Sequence, residues 1–508
     1  MQVVIHRPTV SGARLWIQAE LKERRWSLEV RDGEHVVHAW SPDEHDPDHL
    51  MTNVAPRSTD TRIWFVDLVE LTPGTEYTVW YLPRRSRWSR EDGDRVVASF
   101  RTLPTSVRDQ PFRVLLASCY CEDRDERDRT GSLLTRAHPP WWARPALEVR
   151  RRLRRARVAL SSLRRTGPPP DEPTGRVAAR YQDVRRLGPR PDIKFLVGDQ
   201  VYLDAPYRDF LLPMGQSRMK RHISRTYSRT WEKLNHLLAH GGNFFVTDDH
   251  EFWNNYPANP LAWITLLRRR TRERWELHAR DFLQKVQDTQ RTVAFDVGDD
   301  LAFFLADTRV HRERPEHLWS SVDEFMADGD FQQLLSWVRG LDTPGVLVLG
   351  QPLLAPAGNV LERIKDRGLP DHGRQYRQLC DALVNARHDV LILSGDIHYA
   401  RYARVTLTDR THVLHELIAS PLTLLPAAGN HYGAGPEPTS PFPLDGEPLG
   451  TATYSDPLCG SGDPCRDHFM ILEFARDGDG AVTVDVSVHL VRPEDGATPT
   501  PPGPLVLR

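Results

Sequence analysis

Over residues 1–105, apolar and polar positions alternate in short runs bounded by turn residues. Examples are RLWIQAE (14–20), WSLEV (26–30), RIWFVDLVEL (62–71) and TEYTVWYL (75–82). A period of two with frequent turns predicts short strands half-buried on one face, hence a small β-sandwich. LTPGTEYTVWYL resembles the Pro-Gly turn and tyrosine corner of fibronectin-type domains, with Tyr77 as the corner. From Phe112 the pattern changes. FRVLLAS, IKFLVG, NFFVT, LAFFLA, GVLVLG, DVLILSG and HELIAS are apolar at nearly every position, as strands covered on both faces require. Between them lie helical stretches, RMKRHISRTYSRTWEKLNHLLAHG (218–241) and WITLLRRRTRERWELHARDFLQKVQD (263–288). In the second, Leu267, Trp275, Ala279, Phe282 and Val286 share one face. The segment 468–491 predicts a hairpin turning at Asp477–Gly480 that closes the sheet.

The expected organisation is therefore a β-sandwich domain over 1–105 and a layered α/β catalytic domain over 106–490. An Arg-rich insertion falls around 140–190 and a Pro-rich tail over 491–508. Length supports this: 508 residues suffice for two or three domains with extensive cores. Lys and Arg total 67 against 69 Asp and Glu, so the net charge of −2 provides no global attraction for nucleic acid or membrane. The insertion departs from this balance, with fourteen Arg against four acidic residues over 144–190. It reads either as a basic lid over a phosphate site or as a solvated helix and loop. No apolar run reaches the roughly 20 residues of a membrane span, and the amino terminus lacks a basic start with an apolar stretch. The expected location is the cytoplasm. Five cysteines do not make a disulfide framework. Cys459 and Cys465 bracket a Gly-rich hexapeptide and either pair or stay free, while Cys380 reads as core filler in a helix.

The chemistry lies where the buried runs end. FRVLLAS runs into Cys119, IKFLVG into Asp199, and NFFVT into Asp248-Asp249-His250-Glu251. LAFFLA runs into Asp307, and DVLILSG into Asp396-Ile397-His398. Carboxyl ends of parallel strands are where open α/β sheets place ligands. Taken singly, each of these residues would serve as a cap or a buried filler. Together, converging on one edge, they would gather thiolate, carboxylate and imidazole in one crevice. Adjacent carboxylates such as Asp248 and Asp249 repel unless a cation or proton lies between them. Alternation on an extended segment would point Asp396 and His398 to the same side. Arg309, two residues after Asp307, is expected either to bind a phosphate oxygen in a fork or to pair with Asp307.

The motifs ASC (117–119), GDQVY (198–202), DDHEFWNNY (248–256), ADTR (306–309) and SGDIH (394–398) resemble, in order, those of the PhoD-like, or alkaline phosphatase D, metallophosphoesterases. The leading β-sandwich matches that family's companion domain. The resemblance implies a four-layer α/β/β/α sandwich carrying a binuclear centre. Cys119, Asp199, Tyr202 and His398 would hold a ferric ion. Asp199 would bridge to a second cation, calcium or another divalent metal, held also by Asp249, Asn254 and Asp396. His250 would assist the leaving group, held by Asp248 or Glu251, and a metal-bound hydroxide would be the nucleophile. Thiolate and phenolate suit trivalent iron, whereas carboxylate and amide oxygens suit calcium. Gly429-Asn430-His431 copies an Asn-His motif of the wider superfamily but follows SGDIH, and is read as a turn at the rim.

The function expected is hydrolysis of phosphate mono- or diesters with no covalent intermediate, on a small-molecule phosphate ester. One alternative makes a nucleotide or nucleic acid the substrate, with the Arg-rich stretch gripping its backbone. Another is a catalytically degenerate member that only binds metal. The oligomeric state is left open.

Overall fold

Eight strands come from the first 101 residues: β1 (Gln2–His6), β2 (Ala13–Glu20), β3 (Trp26–Asp32), β4 (His35–Trp40), β5 (His49–Met51), β6 (Thr61–Leu68), β7 (Glu76–Pro83) and β8 (Arg95–Arg101). The computed structural model describes residues 1–20, 26–51, 61–83, 93–108, 110–125, 173, 175–205, 214–258, 264–317, 320–355, 363, 366–423, 439–443, 447–458, 466–493 and 498–508. Alternation works as the sequence implies: β3 buries Trp26, Leu28 and Val30 and leaves the residues between them half-exposed. The antiparallel sheet β4-β3-β7-β8 packs against β1, β2 and β6 around Ile17, Trp26, Trp64 and Val79. Trp26 lies 5.6 Å from Trp40 and 6.1 Å from Trp64, ring centre to ring centre. The Tyr77 hydroxyl accepts the Thr72 N–H at 2.8 Å, forming the expected corner.

Fourteen further strands follow. They are β9 (Phe112–Ala117), β10 (Ile193–Val197), β11 (Gly242–Val246), β12 (Thr292–Val297), β13 (Leu301–Ala306), β14 (Gly345–Leu349), β15 (Val390–Ser394), β16 (Arg401–Leu407), β17 (Val413–Ile418), β18 (Thr439–Phe442), β19 (Gly450–Ser455), β20 (His468–Arg476), β21 (Val482–Leu490) and β22 (Leu505–Leu507). One sheet has ten strands in the order β22-β21-β20-β9-β10-β11-β1-β2-β6-β5, and the other has eight, β12-β13-β14-β15-β17-β16-β19-β18. β9, β10 and β11 are mutually parallel, as are β13, β14, β15 and β17.

The uninterrupted apolar runs have a direct explanation. Alternate residues of each central strand serve two different cores. Val114, Leu116, Phe195 and Val197 meet Phe303, Leu305, Val346 and Leu391 between the two sheets. Their chain neighbours Leu115, Ala117 and Leu196 face the helices Arg176–Leu187 and Gln216–Ala239. On the other side Phe304, Leu347 and Ile392 face the helices Asp328–Arg339 and Gly373–Val384, the latter burying Cys380. Helix, sheet, sheet and helix thus stack in four layers, with the smaller antiparallel sheet beside them.

Three expectations need amending. Asp396 and His398 do not lie on an extended segment; both have positive φ, +70° and +58°. Leu267 is 51% exposed, because the helix is interrupted between Leu267 and Arg269. The last residues do more than trail: Leu505 and Leu507 are buried where β22 pairs with β21. The β20–β21 hairpin forms as expected and lies antiparallel to β9, beside the strand that leads to Cys119. The insertion through residue 172, Gly429-Asn430-His431, Cys459 and Cys465 lie outside the described residues. Among the described residues no helix is long and apolar enough to cross a membrane.

Candidate metal centre

The parallel strands of both sheets end at one edge, and six of those ends build the site: Ser118-Cys119 after β9, Gly198-Asp199 after β10, Asp248 to Glu251 after β11, Asp307 to Arg309 after β13, Gly350-Gln351 after β14 and Gly395 to His398 after β15. The chain leaves several of these strands abruptly. Cys119 (φ +59°), Asp199 (+56°), Asp396 (+70°) and His398 (+58°) all occupy the left-handed region. For side chains other than glycine this costs about 1–3 kcal/mol each, and such conformations gather at functional sites. The turns also pack closely. A Cβ on Gly395 would lie 2.2 Å from the Ser118 hydroxyl, and one on Gly198 would lie 2.6 Å from the Asp248 Cβ. Only glycine allows these backbones to meet.

Three groups of potential ligand atoms result, each within 4.8 Å: Cys119 with Asp199 and His398, Asp199 with Asp249 and His250, and Asp248 with Asp249 and Asp396. Asp199 joins the first to the second and Asp249 the second to the third. Tyr202 belongs here too, its hydroxyl 3.3 Å from Asp199 Oδ2 and 3.4 Å from His398 Nε2. The Cys119 sulfur lies 3.6 Å from the same Asp199 oxygen and 3.2 Å from the hydroxyls of Ser118 and Ser420. Ser118 and Ser420 also accept the N–H groups of Asp396 and His398, at 3.0 and 3.1 Å, so the two sides of the cluster are tied through them.

The electrostatics ask for positive charge. Burial, then Asp199 and Asp396, push the Cys119 thiol well above its ordinary pKa. Burial and the carboxylates around it do the same to Asp396. Asp199 is likewise raised, by burial first, with His250 opposing and Asp249 and Asp248 adding to the rise. Such groups ionise together only around cations. Among the described residues Asp248 Oδ2 is buried without a hydrogen-bond partner. Burial, with a smaller contribution from His250, pushes His398 down to about 4, leaving the neutral imidazole that metal binding needs. A thiol, a phenol, an imidazole and carboxylates on one side, and oxygens alone on the other, fit a pair of cations of different hardness.

The groups behind the cluster differ from expectation. His250 is held neither by Asp248 nor by Glu251. Its Nδ1 meets Asp204 Oδ1 at 2.8 Å, while Asp204 Oδ2 accepts the Asn254 N–H at 2.9 Å. Asp248 is occupied by Arg309 Nε, and Glu251 accepts the N–H groups of Asp199, Val201 and Asp248 at 3.0–3.1 Å, capping the turn. Burial opposes charge on His250, but Asp204, Asp249 and Asp199 outweigh it and hold its pKa well above the usual value. Arg309 reaches neither solvent nor the Asp307 side chain by its guanidinium. It is fully buried and forks onto Asp366 at 3.1 and 3.2 Å, and only its backbone N–H meets Asp307. A buried, doubly paired guanidinium is not available to a substrate phosphate. Asn254 is half-buried in the same turn as His250 and is anchored there through its backbone. Asp204, Asp366 and Gln351 were not among the expected site residues; Asp204 carried the one readable signal, a carboxylate two positions after Tyr202 in the same loop.

No family model matches the chain, and no curated protein does. Among solved structures it is similar to one described as the structure of PhoD, with a TM-score of 0.54 and 13% identity, covering 83% of this chain and 77% of that one. It is also similar to a purple acid phosphatase, PPD1 from seeds of yellow lupin (Lupinus luteus), with a TM-score of 0.47 and 10% identity over 95% of this chain and 71% of that one. At these identities the likeness is one of fold. The four layers with the smaller antiparallel sheet beside them are the fold so shared. Its particular form is PhoD-like.

Proposed function

We propose that the protein hydrolyses phosphate esters, mono- or diesters, at a centre of two cations. What carries the reading is the sharing of Asp199 between two ligand groups at one strand edge, as a bridging carboxylate would be. Cys119, Asp199, Tyr202 and His398 would hold a ferric ion. Asp199, Asp249, Asn254 and Asp396 would hold calcium or another divalent cation, with the unpartnered Asp248 oxygen facing the same group. When bound, the pair supplies Lewis acidity at a phosphoryl oxygen and makes a nucleophile of water at neutral pH.

The chain's own residues would do the rest. Asp204 fixes the Nδ1–H of His250, which leaves Nε2 as the nitrogen that meets the ester. With both nitrogens protonated, Nε2–H donates to the leaving oxygen as its bond to phosphorus breaks, a contribution of 10²–10⁴-fold for a well-placed general acid. The Tyr202 ring lies 4.3 Å from the His250 ring, centre to centre, and limits its rotation. Arg309 neutralises Asp248 from behind and keeps it from swinging away.

The test is turnover of p-nitrophenyl phosphate and bis-p-nitrophenyl phosphate by purified protein, with elemental analysis and a visible spectrum. Iron together with a tyrosinate-to-iron colour is the expected result. His250→Ala should abolish turnover with metal content unchanged. Hydrolysis that survives this substitution refutes the general-acid role, and a metal-free, inactive wild type refutes the whole reading.

A further inference from the structure

Behind the carboxylates of the third ligand group lies a chain of buried polar contacts that connects them without joining the cluster. Asp366 accepts the fork of Arg309, and Arg309 holds Asp248. The same Asp366 accepts a bond from Gln351 Nε2 at 2.7 Å, and that nitrogen gives its second hydrogen to Asp396 Oδ2 at 2.8 Å. One carboxylate therefore governs two candidate ligands, Asp248 by way of a guanidinium and Asp396 by way of an amide and by its own side-chain contact with it. These three carboxylates are far apart in the sequence, so only the folded chain brings them together.

The orientation of the amide is fixed by chemistry. Arg312 Nη2 lies 2.7 Å from Gln351 Oε1, and a guanidinium can only donate. The oxygen of Gln351 must therefore face Arg312, and its nitrogen must face the two carboxylates. Arg312 is itself held by the carbonyls of Thr308 and Arg367, at 2.9 and 2.8 Å. The Arg367 N–H closes the circuit on Asp366 Oδ1 at 2.8 Å. Gln351 is 2% exposed, Arg309 0% and Arg312 6%, while Asp366 itself is half-buried. With Asp396 Oδ2 committed to Gln351 and Asp248 Oδ1 to Arg309, one oxygen of each remains to face a cation.

We propose that Asp366, acting through Arg309 and Gln351, is a positioning residue that sets the seat of the second, oxygen-liganded cation and leaves the first untouched. This rests on the two-cation reading above. The first site takes Cys119, Tyr202 and His398 beside the shared Asp199; none of these is hydrogen-bonded to Asp366, Arg309 or Gln351, so loss of Asp366 should act on the second occupancy far more than on the first. In Asp366→Asn the residue keeps its size and can accept from only one oxygen, so the fork of Arg309 and the bond from Gln351 compete for it. Groups that hold metal ligands in place are worth 10–100-fold in metal affinity.

The experiment is calcium binding by the full chain: metal per chain after equilibration at a series of free Ca²⁺ concentrations, with the iron content and visible spectrum of the same samples. Asp366→Asn should need 10–100-fold more Ca²⁺ for half-occupancy while its iron content and colour match the wild type. Gln351→Met, which removes the amide's bonds to Asp396, Asp366 and Arg312 but leaves the fork of Arg309 on Asp366, should shift in the same direction by less. Half-occupancy at the wild-type concentration in both variants overturns the proposal, as does parallel loss of iron and calcium, which marks general loosening. A wild type that binds neither cation refutes the underlying functional reading instead.

Discussion

Replacing Asp204 by Asn tests the orientation of His250 with almost no change in shape. Asp204 is used as a double acceptor: Oδ1 takes the His250 Nδ1–H at 2.8 Å and Oδ2 takes the Asn254 N–H at 2.9 Å. An amide offers one acceptor, so Asn can keep one of these bonds and must turn an NH₂ towards the other donor. A hydrogen bond with a charged partner contributes about 1.5–3 kcal/mol. At 1.4 kcal/mol per decade, that is a fall in kcat of roughly 10–150-fold. The assay should compare p-nitrophenyl phosphate, whose leaving group departs readily without a proton, with an alkyl phosphate, whose leaving group does not. A residue that aims a proton donor affects the alkyl ester far more, and metal content and melting temperature should stay at wild-type values. Equal losses on both esters, or no loss on either, would refute the assignment of Asp204 as the partner that orients the imidazole.

Two further outcomes are expected. Gly395→Ala drives a methyl group to within 2.3 Å of the Ser118 Cβ and 2.6 Å of the Val197 carbonyl, all buried. The overpacking should cost about 1–3 kcal/mol or more and lower both the calorimetric melting point and metal retention, because Ser118 supports Cys119 and the Asp396 N–H. Asp300 titrates below the usual carboxylate range: burial opposes this, but the Ser106 hydroxyl, the Val107 N–H and Arg476 prevail. Its unfolded pKa is the higher one, so the stability it contributes is present above about pH 4 and is lost as the pH falls through the folded value. The deficit of Asp300→Asn in urea unfolding should therefore be largest near neutrality and shrink in acid; a deficit independent of pH would count against this.

Much of the architecture could be read from runs and turns. FRVLLAS and DVLILSG are apolar throughout because Leu115 and Leu116, or Ile392 and Leu393, look into different cores, and that pattern announces a strand covered on both faces. The identity of the strand-end residues was legible for the same reason. Their directions were not. Period-two reasoning placed Asp396 and His398 on one side of an extended segment, yet left-handed turns send them to different ligand groups. The partner of His250 depended on a turn that carries Asp204 back over the site, and three other carboxylates were nearer in the sequence. Asp366 and Gln351 gave no signal, since a KDRG stretch reads as a solvated loop until tertiary packing buries it. Arg309 was expected either on a substrate phosphate or on Asp307, because sequence offers no way of seeing that a cation is enclosed on all sides.

The left-handed backbone at Cys119, Asp199, Asp396 and His398 has an evolutionary corollary. Glycine at any of these positions would relieve strain while offering no donor atom. A library screened for heat resistance alone would drift towards glycine there, and its most robust survivors would have forfeited their ions.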